Sequence, residues 1–196
     1  MAGSQSAAIA VAAARLIVEE GLEYGAAKRR AARDLGLDAR SRELPGNDDV
    51  EDEVRTYLDL FHADTQPAEL VELRRIAAVW MDRLAEFRPH LAGAVWRGTA
   101  TRLSRIAIDL FCDDSKSAEI ALIDKRVDYD VSSVDGPRGR VFGVLTFHVP
   151  SPMLGRVRIA LTVRDYDDLR GALHRDARGR SDRGDLAALR QLESDA

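Results

Sequence analysis

The apolar residues of this chain change their spacing at Pro89, and this change limits its fold more than any other feature. Before Pro89 they recur about every 3.6 positions, the period of an amphipathic helix. After Pro89 they recur at every second position, the period of a half-buried strand. The sequence therefore predicts an α+β protein with a helical module over residues 1–88 and a second module over residues 89–196.

The composition is that of an ordinary globular protein. The chain has 196 residues, of which 45% are apolar and 32% charged, which is enough to bury a core. A formal net charge of -4 excludes the strongly basic footprint of a duplex-binding protein. The single cysteine, Cys112, cannot form an intrachain disulfide, and the alanine-rich start is too short and too charged to cross a membrane. We expect a cytoplasmic protein without a signal peptide.

Helical spacing and turn residues predict the elements of the first module. Glycine breaks the first helical run, and proline ends the last one. The predicted elements are a helical hairpin at residues 6–35 with a break at Gly21, a loop at 37–47, and helices at 48–61 and 65–87.

The second module alternates short strands with short helices. Its candidate strands lie at residues 92–96, 106–112, 127–134, 141–149 and 157–164, and its helices at 117–124, 167–174 and 186–192. The segments 135–139 and 150–155 are rich in turn residues, so the last three strands are predicted to form an antiparallel meander.

The most informative segment begins at Gly93 and continues through the second candidate strand. Its residues Gly93, Gly98, Thr99, Ala100, Ser104 and Ile106 resemble, in register, the signature of nucleotidyltransferases of the DNA polymerase β type. That signature has a glycine turn, a Gly-Thr-Ala step, and Ser-Asp-Ile-Asp-Leu on the next strand. The resemblance implies a mixed β-sheet module with flanking helices. The N-terminal helices carry no part of the resemblance, and we expect them to pack on that module.

The resemblance also implies how such a site binds a nucleotide. Glycine lets the backbone approach the triphosphate, and paired aspartates on one strand face hold the Mg²⁺ ions that bridge the phosphates. The candidate nucleotide-binding residues are Gly93, Gly98, Thr99, Arg97, Arg102 and Ser104. This sequence departs from the nucleotidyltransferase signature at three positions: Ala94 replaces the serine, and Arg105 and Ala107 replace the two aspartates.

Other carboxylates are candidates for the missing pair. Asp109 shares a strand face with Ala107, and Asp128 and Asp130 share a face on the next candidate strand. We take Asp109, Asp128 and Asp130 as the candidate catalytic residues, with Asp109 and Asp130 as Mg²⁺ ligands if the protein is active. The alternative is that these carboxylates are solvated charges.

The sequence thus predicts a nucleotidyltransferase-like protein with an impaired active site that binds a nucleotide or an RNA phosphate. The alternative is a non-catalytic interaction or scaffold protein of the same fold. A homodimer is compatible with either prediction.

Two other patterns suggest less specific functions. Arg83 and His90 fit the loose Arg-x(4–6)-His spacing of HEPN ribonucleases, but the nearby proline and phenylalanine favour packing. The basic cluster at residues 28–33 could contact nucleic-acid phosphates, although a solvated helix face explains it more simply. The four histidines lack the spacing of a zinc site.

Overall fold

The computed structural model describes residues 2–37, 44–136, 139–173 and 179–194. These residues form eight α-helices and a six-stranded mixed sheet, which confirms the predicted α+β class. They divide into two compact units. The first extends to Ala68 and includes Thr99–Leu103, and the second contains Glu69–Gly98 and the chain from Ser104 onward. The module boundary at residues 88 and 89 stays a prediction.

The first unit is built around three helices: α1 (Ala2–Glu20), α2 (Tyr24–Asp34) and α3 (Asn47–Phe61). The predicted break at Gly21 is present, with φ at 67° in the left-handed region that favours glycine. Small side chains let the helices approach closely, because Ala13, Ala27 and Ala31 are fully buried in the shared core. Residues 38–43 of the predicted loop lie outside the described part of the chain.

The remaining helices are α4 (Gln66–Arg83), α5 (Gly93–Arg97), α6 (Ser115–Asp124), α7 (Asp168–Ala172) and α8 (Leu186–Ser194). The predicted helices near 65–87, 117–124 and 186–192 correspond to α4, α6 and α8. The predicted end of the helix at residue 174 lies outside the described residues. Within the described ranges, none of the helices combines the length and apolar character that crossing a membrane requires.

The sheet lies in the second unit, in the order β3-β4-β5-β2-β1-β6. Its strands are β1 (His90–Ala92), β2 (Ile106–Cys112), β3 (Asp130–Asp135), β4 (Val141–Ser151), β5 (Gly155–Asp165) and β6 (Arg183–Gly184). β2 and β5 are parallel, and every other pair is antiparallel. The predicted meander of the last three candidate strands is confirmed in β3, β4 and β5.

The strand predicted at residues 92–96 is wrong. β1 ends at Ala92, and Gly93 takes φ of 67° and begins α5. The alternation of apolar residues continues past this glycine, but its backbone cannot stay extended there. Strand β6 was missed because it has only two residues within a polar segment.

Aliphatic residues of β2 form the centre of this unit's core. Ile106, Ile108 and Leu110 are fully buried. Trp80 of α4 packs on Phe147 of β4, with ring centroids 4.6 Å apart. Asp109 lies on β2, within this core-forming strand.

Candidate functional site

The glycine turn lies between β1 and β2 along the chain. Gly93 and Gly98, with φ of 67° and 82°, stand at the start and just after the end of α5. A Cβ placed on Gly93 would lie 3.7 Å from the Cβ of Ala107, so the turn contacts β2 at that alanine. Arg74 holds the turn from α4 by donating from Nε to the carbonyl oxygen of Val95 at 3.2 Å. The turn therefore exists, with an alanine beside it where the resemblance implies an aspartate.

The other predicted nucleotide-binding residues are divided between the two units. Arg97 lies in the second unit, where its Nη2 donates to Asp182 at 2.8 Å, and Ser104 opens the segment that leads to β2. Thr99 and Arg102 belong to the first unit. The Thr99 hydroxyl is buried and has no hydrogen-bond partner among the described residues. Their role in binding a nucleotide stays a prediction.

Asp109 lies in the middle of β2 and is only 5% exposed. Both of its carboxylate oxygens are next to arginine side chains. Arg183 donates from Nη1 to Oδ2, and the Nε atom of Arg164 lies 3.2 Å from Oδ1. Asp109 is thus neutralised by two guanidinium groups.

Strand register explains why these arginines meet the carboxylate. Arg164 of β5 pairs with Phe111, two residues beyond Asp109 and on the same face of the sheet. Arg183 of β6 pairs with Ala92 of β1, on the other side of β2. Each arginine therefore approaches the carboxylate from a different strand.

A third arginine, Arg140, lies near the same phenylalanine ring as Arg164. The guanidinium carbon of Arg164 lies 4.6 Å from the centroid of Phe142, and that of Arg140 lies 5.3 Å from it. Arg140 also pairs with Asp168. We call Arg140, Arg164 and Arg183 the arginine cluster.

The arginine cluster and its carboxylates leave buried polar atoms unpaired on both sides, because Oδ2 of Asp168 has no hydrogen-bond partner among the described residues. The Nε atoms of Arg164 and Arg183 are buried and have no hydrogen-bond partner among the described residues. The short distance from Arg164 to Asp109 is an ionic contact, because its Nε–H is not aligned with the oxygen. The two side chains remain 21% and 16% exposed, so a ligand can reach part of each.

The structure separates Asp128 and Asp130 from Asp109. Asp130 pairs with Thr146 of β4, and the same row continues through Ala160 to Ala107 of β2. Asp130 and Ala107 are therefore three strand spacings apart, which is a distance of about 14 Å between their backbones. Asp128 and Asp130 instead line a different cavity, of about 470 Å³. The geometry does not bring the three predicted catalytic carboxylates together.

The residues around Asp109 do not fit a magnesium ion. Mg²⁺ binds several oxygen ligands in an octahedron and repels nearby positive charge. Both oxygens of Asp109 face guanidinium groups, and the described residues contain no group of three His, Cys, Asp or Glu side chains that could hold a metal. These residues therefore do not support a catalytic step through Mg²⁺.

The residues of the Arg83–His90 pattern and of the basic cluster at 28–33 make structural contacts. Arg83 stacks on Trp80, and the buried His90 places its Nδ1 2.9 Å from the carbonyl oxygen of Arg88. In the basic cluster, Lys28 donates to the carbonyl oxygen of Pro45, and Arg30 pairs with Glu20. These contacts favour packing and a solvated helix face.

The arginine cluster itself was not predicted from the sequence. Arg164 and Arg183 lie 55 and 74 positions from Asp109 along the chain, and only the strand pairing brings them together. One signal was present, because an arginine that follows the apolar run of β5 points to a buried or ligand-facing charge.

Comparison with known proteins provides no family for this chain. No family model matches it, and no curated protein does. The solved structures that match include one described as the Cid1 poly(U) polymerase with MgGTP bound, at 10% identity and a TM-score of 0.35. The match covers 48% of this chain and 32% of the polymerase chain, so it spans about a third of the length of that protein. Such a distant match does not bear on the activity of this chain.

Proposed function

We propose that this protein is a nucleotidyltransferase-like binding protein with an impaired active site. Its ligand is a nucleotide or an RNA phosphate, held by the arginine cluster without a metal ion. The observation that carries the proposal is the pairing of Asp109 with both Arg164 and Arg183. This pairing replaces a metal-binding carboxylate with a positively charged surface.

The balance of donors and acceptors supports phosphate binding. Each guanidinium has five N–H donors in a fixed fork that matches phosphate oxygens. The exposed parts of Arg164 and Arg183 offer N–H donors to a phosphate group, whereas their buried Nε atoms are out of reach of a ligand. A hydrogen bond to a charged group contributes about 1.5–3 kcal/mol.

The charges of the cluster also support an anionic ligand. Three guanidinium groups, those of Arg140, Arg164 and Arg183, face two carboxylates, those of Asp109 and Asp168. The set therefore carries one net positive charge. Arginine pairs with phosphate through charge-assisted hydrogen bonds, which are about twice as strong as neutral ones.

The separation of the carboxylates supports a loss of catalysis. Two-metal transfer needs ligands around ions about 3.5–4 Å apart. Asp130 lies three strands from β2, and the alanine at position 107 has no ligand atom. An active enzyme using Asp109, Asp128 or Asp130 therefore remains the weaker alternative.

The proposal is tested by thermal unfolding with inorganic triphosphate or ATP, in EDTA and then in Mg²⁺ or Mn²⁺. A ligand at one hundred times its Kd stabilises the folded protein by about 2.7 kcal/mol. We expect this stabilisation in EDTA. Arg164→Lys keeps the charge beside Asp109 but removes the guanidinium fork, so it should weaken binding about tenfold.

The matched control is Arg190→Lys, the same exchange on an exposed position of α8. It should leave binding unchanged. Stabilisation that requires a metal ion and disappears in Asp109→Ala would favour the enzyme. No stabilisation by either ligand would leave an interaction or scaffold role as the better explanation.

A further inference from the structure

The outer edge of β3 is unpaired in the described part of the chain. β3 lies at one end of the sheet and pairs only with β4. An unpaired edge presents a row of backbone N–H and C=O groups to any further strand, and proteins usually protect it with proline, lysine, a bulge or a very short strand. The six residues of β3 are all exposed, and they include no proline, lysine or bulge. This edge is therefore open to another strand.

Exposed apolar side chains surround the same edge. Val131 of β3 is 65% exposed and Val141 of β4 is 62% exposed, and the register places both on one face of the sheet. Helix α6 lies on that face too, because its Glu119 lines a cavity together with Val131. Ile120 and Ile123 of α6 are also more than half exposed. Four large apolar side chains beside one sheet edge are typical of an interaction surface.

This apolar surface is separate from the arginine cluster. The row of paired residues that contains Val131 continues through Leu145 and Leu161 to Ile108 of β2. Ile108 directly precedes Asp109, and neighbouring residues of a strand point to opposite faces. The exposed valines and isoleucines therefore lie on the face of the sheet opposite to Asp109 and its arginines.

The charges around β3 favour a second copy of the same strand as its partner. Arg126 precedes the strand and Asp135 ends it, and neither has an ion-pair partner among the described residues. An antiparallel pair of β3 strands brings the start of each beside the end of the other. If this pair is centred on Val131, Asp135 of one copy lies opposite position 127 of the other, next to Arg126. Two-fold symmetry forms this Arg–Asp contact twice, and no two aspartates are directly opposite each other.

The same register brings apolar side chains together. Val131 lies opposite Val131 of the second copy, and pairs of β-branched residues stabilise antiparallel strands. Ile123 lines a cavity with Val127, while Val141 pairs with Asp135 within the β3–β4 hairpin. Since Val127 lies opposite Asp135 of the second copy, Ile123 comes to the side of the partner hairpin on which Val141 is exposed. Charge and apolar character thus agree on one register.

We propose that β3 pairs with β3 of a second copy, in an antiparallel two-fold arrangement centred on Val131. The two six-stranded sheets then become continuous, and the backbone groups of both open edges are paired. The same surface is used on both copies, so the assembly closes at two chains. This dimer does not depend on the proposed phosphate-binding function.

Exchanges at Val131 test this pairing in the whole chain. Sedimentation equilibrium of the wild type should approach twice the 21.6 kDa of one chain as the concentration rises. Val131→Lys places two ammonium groups directly opposite each other, so it should weaken the dimer at least about tenfold. Val71→Lys, the same exchange at a valine of α4 that is 63% exposed, is the matched control and should dimerise as the wild type does. Circular dichroism verifies that each variant is folded.

Opposite charges at the two-fold axis provide a sharper test. Val131→Glu alone should also weaken the dimer, because two carboxylates would face each other. An equal mixture of Val131→Lys and Val131→Glu should dimerise again, since each ammonium group then faces a carboxylate. A monomeric wild type would overturn the inference, because the edge would then be unpaired. Dimerisation that Val131→Lys leaves unchanged, or a mixture that stays monomeric, would equally overturn it by placing any interface elsewhere.

Discussion

Replacing Asp109 with asparagine should destabilise the second unit strongly. The exchange keeps the shape of the side chain but removes the charge that both Arg164 and Arg183 face. Removing one partner of a buried ion pair costs about 3–5 kcal/mol, since the other charge stays buried without compensation. The partial exposure of the two arginines places the expected loss near the lower end, about 3 kcal/mol. That is a large share of the 5–15 kcal/mol typical of a domain.

Urea unfolding measures this loss. Both tryptophans, Trp80 and Trp96, lie in the second unit, so their fluorescence reports on that unit. The midpoint should fall while the slope with urea stays constant. The control is Asp113→Asn, the same exchange on an exposed residue just beyond β2, which should change stability by less than about 0.5 kcal/mol.

A double-mutant cycle with Arg183→Gln tests whether the pairing is the cause. The double variant should lose less than the sum of the two single losses, with a coupling energy of about 0.5–3 kcal/mol. An Asp109→Asn variant as stable as the wild type, or more stable, would refute the reasoning. That result would be expected of a carboxylate kept for a metal at some cost in stability.

Three further outcomes follow from single contacts. Gly184→Ala should lower the free energy of unfolding by about 1–3 kcal/mol, because the added Cβ would lie 2.1 Å from the Trp96 ring. A variant with wild-type stability and tryptophan emission would disprove this contact. Hydrogen bonds, first from His62, lower the pKa of Glu19, so Glu19 stabilises the first unit above about pH 4.5 and this stabilisation disappears as pH falls further. Glu19→Gln should therefore lower the free energy of unfolding at pH 6 but not at pH 3, as measured by urea unfolding followed by circular dichroism. The loss should be under about 1 kcal/mol, since the pair is exposed. An equal effect at both pH values would contradict this prediction. Cys112 is buried with a raised pKa, so native protein should react with a thiol reagent at pH 8 far more slowly than unfolded protein, and equal rates would exclude this.

The elements with strong local patterns could be predicted from the sequence. The apolar stripe of α4 and the alternation in β4 and β5 each match one period over many residues. Gly21 ended a helix as expected, because its left-handed φ is a local property of glycine. Local spacing was enough for the α+β class.

Features that depend on tertiary pairing could not be predicted. The strand β6 has two residues and pairs with β1, which lies about ninety positions earlier in the chain. Gly93 shows the opposite problem, because the apolar alternation around it is typical of a strand although its φ begins a helix. Short elements of this kind take their conformation from their neighbours.

The candidate site was predictable only in part. Alternation placed Asp109 on the face of β2 that also carries Ala107, and the strand range was right. The partners of Asp109 come from β5 and β6, and their approach depends on a parallel register that no local pattern encodes. Sequence spacing could therefore indicate a missing carboxylate pair, but not the arginines that surround Asp109.

The most direct test of the central claim is the affinity of inorganic triphosphate, measured by calorimetry in EDTA and again in excess Mg²⁺. Arginine binding without a metal predicts a clear signal in EDTA that does not strengthen with Mg²⁺, because the ion competes for the same phosphate oxygens. Binding that appears only when Mg²⁺ is present would contradict the account, since it would require a metal where Arg164 and Arg183 face Asp109.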